Sequence, residues 1–148
     1  MNSRLAAQSL SRRVSAANTL FDAGGLSASG ARWAYITRRM SLYVDNAAVT
    51  VDAGGVNAFT AGQRNALVNH PGLLDAFRGN RIDVMARRGI INDPVLADLF
   101  DDGELQSFYT CGPDFRSAGG AWWDMTTPGQ WLRHVLKYGP RGTLLSTK

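Results

Sequence analysis

Apolar residues recur at steps of three and four along the first part of the chain. Ala7, Leu10, Val14, Ala17 and Phe21 form one amphipathic helical stripe, which Gly24 and Gly25 close. A second helix is predicted over about 31–44, with Trp33, Ile36, Met40 and Tyr43 or Val44 on its inner face. The following DNAAVTVDAGG, residues 45–55, alternates β-branched and small residues and predicts a short strand or an extended linker. Thr60 is placed to cap a third helix through Asn69, and His70 before Pro71 stops it. LLDAFRGNRIDVMARRG, residues 73–89, reads as one helix or as two segments around Gly79. Asp93-Pro94 then supplies the cap and first turn of a short helix through Phe100.

Asp101-Asp102-Gly103 closes that helix. ELQSFYTC has strand composition, GPDF continues or terminates that strand, RSAGG is a tight connection, and AWWDMTT is a second strand. Thr127 and Pro128 open a helix that Gly139 ends, and RGTLLSTK supplies a short terminal strand. At 100° per residue that helix puts Gln130, His134 and Lys137 on one face and Trp131, Leu132, Val135, Leu136 and Tyr138 on another. Trp122, Trp123 and Trp131 are expected in the core, and Cys111 as a small buried group. The fold class is therefore α/β (α+β), with a mainly helical N-terminal part, residues 1–65, expected to pack on a core of residues 66–148.

Composition narrows the function classes. A length of 148 residues with 45% hydrophobic and 19% charged residues suits a folded domain rather than a disordered chain. No apolar run approaches the roughly 20 residues of a membrane span, which disfavours a membrane-active toxin and predicts no stable membrane insertion. No secretory leader is expected, and a single cysteine excludes an internal disulfide and a cysteine-based zinc site. The net charge is +4, and all of the excess lies in the first half. Residues 1–80 hold eight arginines against four aspartates, whereas residues 81–148 hold eight basic and eight acidic side chains. That pattern suits a basic surface for a polyanion beside a carboxylate site. It also suits the plain arginine usage of a GC-rich genome.

Chemistry concentrates near the C-terminus. Asp114 and Asp124 fall on or beside two sequential strands, which neighbour each other most of the time. Adjacent strands lie about 4.8 Å apart, so two carboxylates at one level could share a cation. Mg²⁺ takes oxygen ligands and keeps several waters, so two carboxylates suffice to hold it. An unpaired Asp124 between Trp123 and Met125 would be costly to bury, which favours a functional role. Against these stand plainer readings: Asp114 as a turn former, Asp83 as a surface acid near Arg87, and His134 and Lys137 as a solvated face.

GNRID at 79–83, GPDF at 112–115, WWDMTTPGQW at 122–131 and HVLKYG at 134–139, in that order, resemble the C-terminal nuclease domains of bacterial polymorphic toxins. More narrowly, they resemble the toxin tips of contact-dependent growth inhibition, within the PD-(D/E)XK restriction-endonuclease-like group. The resemblance covers about the last 70 residues. It implies a small mixed β-sheet flanked by helices, with Asp83, Asp114 and Asp124 as metal ligands and Mg²⁺, or else Mn²⁺ or Zn²⁺, as the divalent cation. Thr126 stands where the motif has lysine; Lys137, with Gln130 and His134 beside it, is the substitute, and Thr126 is left to hold a water.

The resemblance further implies export as the C-terminal part of a large secreted effector, action in the target-cell cytoplasm, a cognate immunity protein, and nucleic acid as substrate. Among nucleic acids it favours tRNA. A DNase of the same fold is the close alternative, and a non-catalytic module binding nucleic acid or protein is a reading from a different class.

Overall fold

The computed structural model describes residues 28–148 apart from Cys111. The expected first helix, residues 7–21, its closing Gly24 and Gly25, and the expected burial of Cys111 lie outside the described residues. The chain divides into two compact units, residues 1–38 and 39–148.

Helix α1, Ala28–Gly54, runs ten residues past the predicted end at Val44. In the first unit its buried residues are Ala31 and Ile36; in the second they are Met40, Val44, Ala47 and Val51. The spacing explains the correction at 45–55. Ala47 and Val51 continue the three-and-four stripe, and burying them outweighs the modest helix penalty of Val49, Thr50 and Val51. Thr50 donates its hydroxyl to the Asn46 carbonyl one turn back, 2.7 Å away, so its polar group is satisfied inside the helix.

α2, Ala61–Asn69, begins where predicted, with a capping box. The Gln63 amide donates to Thr60 Oγ1 (3.2 Å), and the Thr60 amide donates to Gln63 Oε1 (3.0 Å). A 3₁₀ turn at Pro71–Leu73 leads into α3, Leu74–Ile91. Gly79 does not break α3; beyond it Ile82, Ala86 and Ile90 bury one face. The short α4, Ala97–Asp101, follows.

Asp93 prepares α4. Its carboxylate is fully buried and accepts from the Val95 and Leu96 amides, from the Tyr43 hydroxyl (2.7 Å) and from Arg39 Nε. Only glycine at 89 lets Tyr43 come so close, because a Cβ there would meet its ring. Burial pushes Asp93 up, but the Arg39, Tyr43 and backbone donors together outweigh it and hold the acid below its usual value.

The sheet has four strands in the order β1-β2-β3-β4: Leu105–Ser107, Phe115–Ser117, Trp122–Thr126 and Gly142–Ser146. β1, β2 and β3 form an antiparallel meander, and β4 lies parallel to β3. GPDF thus leads into a strand of its own instead of extending β1. Gly112, at φ 109°, takes a conformation that side chains disfavour and helps the chain turn back. α5, Pro128–Tyr138, links β3 to β4, and Gly139, at φ 96°, ends it. Thr127 is extended before Pro128 as expected, but its side chain makes no capping bond.

The inner face of α5 differs from the predicted one. Trp131, His134, Val135 and Tyr138 are half-buried, while Leu132 and Leu136 are 68% and 80% exposed. Aromatic packing sets this rotation. The buried Trp122 ring of β3 lies 5.1 Å from Trp131 and 5.5 Å from Tyr138, centroid to centroid. Gly142 of β4 makes room on the other side, since a Cβ would collide with that indole. Trp122 and Trp123 are core residues, as expected. The fold is α+β, with a small mixed sheet in the C-terminal part and helices ahead of it.

Candidate functional site

Cross-strand register brings two acids together. Phe115 pairs with Trp123 and Arg116 with Trp122, so one further step along the antiparallel register sets Asp114 opposite Asp124. The backbone then ties them. The Asp114 amide donates to Asp124 Oδ1 at 3.2 Å, and the Met125 amide donates to Asp114 Oδ2 at 2.6 Å. Asp83 joins from α3 through Arg87, one helical turn further on: Arg87 Nη2 donates to Asp83 Oδ1 at 3.0 Å and pairs with Asp114 Oδ1.

Arg87 is 5% exposed. Its Nη1 also donates to Ser107 Oγ (2.9 Å) and the Phe108 carbonyl (2.7 Å), so one guanidinium joins α3, β1 and the start of β2. The guanidinium carbon lies 4.8 Å from the Tyr109 ring centroid and 5.4 Å from that of Phe115. In the sequence Arg87 stands out only as a neighbour of Asp83. Its four-residue spacing from Asp83 was the available signal, and nothing in it separates Arg87 from Arg78, Arg81 or Arg88.

From the other side, α5 brings His134 Nδ1 into close contact with Asp124 Oδ2. His134 also meets Tyr138 edge-on at 5.9 Å. Lys137 is exposed, with its ammonium 4.9 Å from the Tyr138 ring centroid. Gln130 is exposed on the first turn of α5, and Thr126 is half-buried at the end of β3, where its carbonyl accepts from the Thr147 amide. The structure therefore gathers Asp83, Asp114, Asp124 and His134, and it places Lys137, Gln130 and Thr126 at the margins.

Burial dominates the electrostatics, and neighbouring negative charge adds to it. Asp83 is raised above its usual value by burial and then by Asp114, against the pull of Arg87. Asp114 is raised by burial and by Asp124, against the Met125 amide and Arg87. Asp124 is raised by burial and by Asp83, although His134 and the Asp114 amide lower it. Three acids from three elements all resist ionisation, and such perturbed clusters are candidates for functional sites.

The donor set suits a hard cation in one respect and limits it in another. All the candidate donors are carboxylate oxygens, and each carboxylate oxygen that accepts one N–H keeps a second lone pair. Yet among the described residues no three His, Cys, Asp or Glu side chains are grouped to hold a metal. Arg87 already occupies the space between Asp83 and Asp114. Asp114 and Asp124 remain the carboxylate pair held together across β2 and β3.

No protein-family model, curated protein or solved structure matches the chain. Among the described residues no helix is long and apolar enough to cross a membrane.

Proposed function

We propose that residues 66–148 carry a nuclease of the PD-(D/E)XK-like type that cuts phosphodiester bonds in nucleic acid, with tRNA as the favoured substrate. The observation that carries this reading is the meeting of Asp114 and Asp124 across β2 and β3, with Asp83 and Arg87 on one side and His134 on the other. Catalysis of phosphoryl transfer is mostly positioning and charge stabilisation, which a rigid acidic cluster with nearby cations can supply.

In this reading Asp114 and Asp124 hold the divalent cation, Mg²⁺ by preference. Held there, such an ion would supply Lewis-acid polarisation of a phosphoryl oxygen and a more acidic bound water. Asp124 directs the Nδ1 proton of His134, which leaves Nε2 with a lone pair for the proton of the attacking oxygen. Arg87 acts as a positioning residue, neutralising Asp83 and Asp114 and fixing Asp114 against β3. Lys137 takes the part of the motif lysine, offering charge to the phosphate from the edge of α5 with Gln130, and Thr126 holds a water.

The remaining expectations follow from the resemblance to polymorphic toxins. The domain is then the C-terminal part of a large secreted effector, acts in a target-cell cytoplasm and is neutralised by an immunity protein. The test is incubation of the purified chain with Mg²⁺ and, separately, total tRNA and plasmid DNA. Cleavage of tRNA supports the reading; cleavage of plasmid alone makes it a DNase; cleavage of neither under Mg²⁺, Mn²⁺ or Zn²⁺ leaves the non-catalytic binding module.

A further inference from the structure

Beside the acidic cluster lies a cleft of about 310 Å³ lined by Asp83, Arg87, Arg88, Ile91, Asn92 and Tyr109, among others. Its volume sits at the low end of the roughly 300–1,000 Å³ usual for small-ligand pockets. Two of its walls, Asp83 and Arg87, belong to the candidate site itself, so a substrate whose phosphate lies at the acids has an adjoining group within reach of the cleft.

Tyr109 is the unusual wall. It is 76% exposed, a large aromatic ring in water, yet it is backed by the buried Arg87 guanidinium at 4.8 Å. Arg87 in turn is fixed by Asp83, Asp114, Ser107 and the Phe108 carbonyl. The ring is thereby held next to the cluster at little entropic cost to a ligand that stacks on it. Arg88 and Asn92 are exposed on the rim, and Asn92 donates its amide to the Arg88 carbonyl at 2.7 Å, which turns its side-chain oxygen away from that bond.

We infer that this cleft is the nucleotide subsite of the proposed nuclease: an unpaired base stacks on Tyr109, and Arg88 takes a flanking phosphate. The inference rests on the nuclease reading. A base can stack on an aromatic side chain only when it is free of its own helix, so the cleft selects single-stranded or looped nucleic acid over continuous duplex. An apolar floor with a single aromatic platform favours stacking over base-edge readout, so sequence preference is weak at this position.

The test measures binding of a short fluorescent single-stranded RNA, and of the same strand annealed to its complement, to the full chain in an Asp124→Ala background. Cleavage is followed in parallel with Asp124 intact. Tyr109→Ala is expected to weaken single-strand binding about 5- to 150-fold, the usual range for loss of one base–aromatic stack. Tyr109→Phe is expected to keep the affinity. Arg88→Ala is expected to reduce the slope of log affinity against log salt by about 1.

Equal binding by wild type and Tyr109→Ala overturns the inference, as does tighter binding of the duplex than of the single strand. If the protein cuts nucleic acid while Tyr109→Ala changes neither binding nor rate, the subsite fails and the nuclease reading stands. If Tyr109 governs binding but nothing is cut with Asp124 intact, the nuclease reading fails, and with it the assignment of the cleft to a scissile nucleotide.

Discussion

Asp114, just before β2, and Asp124, on β3, are held to each other by backbone amides: the Asp114 amide donates to Asp124, and the amide after Asp124 donates to Asp114. Neither acid is positioned by a flexible loop contact alone. Burial raises both acids above their ordinary value, and these two amide bonds pull against it.

Arg87 is the cation that makes this arrangement tolerable. Arg87→Met would leave Asp83 and Asp114 without their buried partner, and loss of one member of a buried ion pair costs about 3–5 kcal/mol. Arg87→Lys should recover only part, because an ammonium cannot span two carboxylates, a hydroxyl and a carbonyl as the guanidinium fork does. Denaturant unfolding of the three proteins checks the order wild type, Lys, Met.

Asp83→Asn should act in the opposite sense on stability. Its raised pKa means that the ionised form is disfavoured in the folded protein. A neutral isostere that still accepts from Arg87 should stabilise by about 0.5–1 kcal/mol, the low end of what single stabilising substitutions give. Equal or lower thermal stability at neutral pH would count against the proposed repulsion.

The pH dependence separates two groups of acids. Asp83, Asp114 and Asp124 have raised folded-state values, so the folded state binds protons more tightly than the unfolded one and their contribution improves as pH falls toward the ordinary carboxylate range. Asp93 has a lowered value, so its contribution is full above the ordinary value of 3.8 and is lost as pH falls through its folded-state value. Stability should therefore rise on mild acidification and drop steeply below about pH 4. In Asp93→Asn the steep drop should shrink, which thermal melts across pH would reveal.

The two basic side chains of α5 should also differ. His134→Ala should reduce the rate by about 10²- to 10⁴-fold, the usual range for loss of a general acid–base group. Lys137→Ala should cost much less, since its ammonium rests over Tyr138 while His134 contacts Asp124 directly. Single-turnover rates would rank them, and a larger loss in Lys137→Ala would restore the lysine to the centre of the mechanism.

Much of this site was legible because local chemistry and tertiary structure agree there. Strand-like WWDMT, with Asp114 on or beside the segment before it, put two acids on neighbouring strands, and Thr60 announced a helix start. What the sequence hid was decided by packing. Val49, Thr50 and Val51 read as extended, but Ala47 and Val51 fall on a buried stripe that carries the helix onward. On α5 two apolar faces overlap, 131/135/138 and 132/136; the Trp122 ring selects the aromatic one and turns His134 inward with it. Arg87 was indistinguishable from its neighbours because its importance lies in partners 20–27 residues away.

The most direct test is the rate of tRNA cleavage in Mg²⁺ by wild type and Asp124→Ala, with circular dichroism to show that both are folded. Cleavage by the wild type that is abolished in Asp124→Ala and by chelation is the predicted result. A folded Asp124→Ala protein that cuts as fast as wild type would contradict the account.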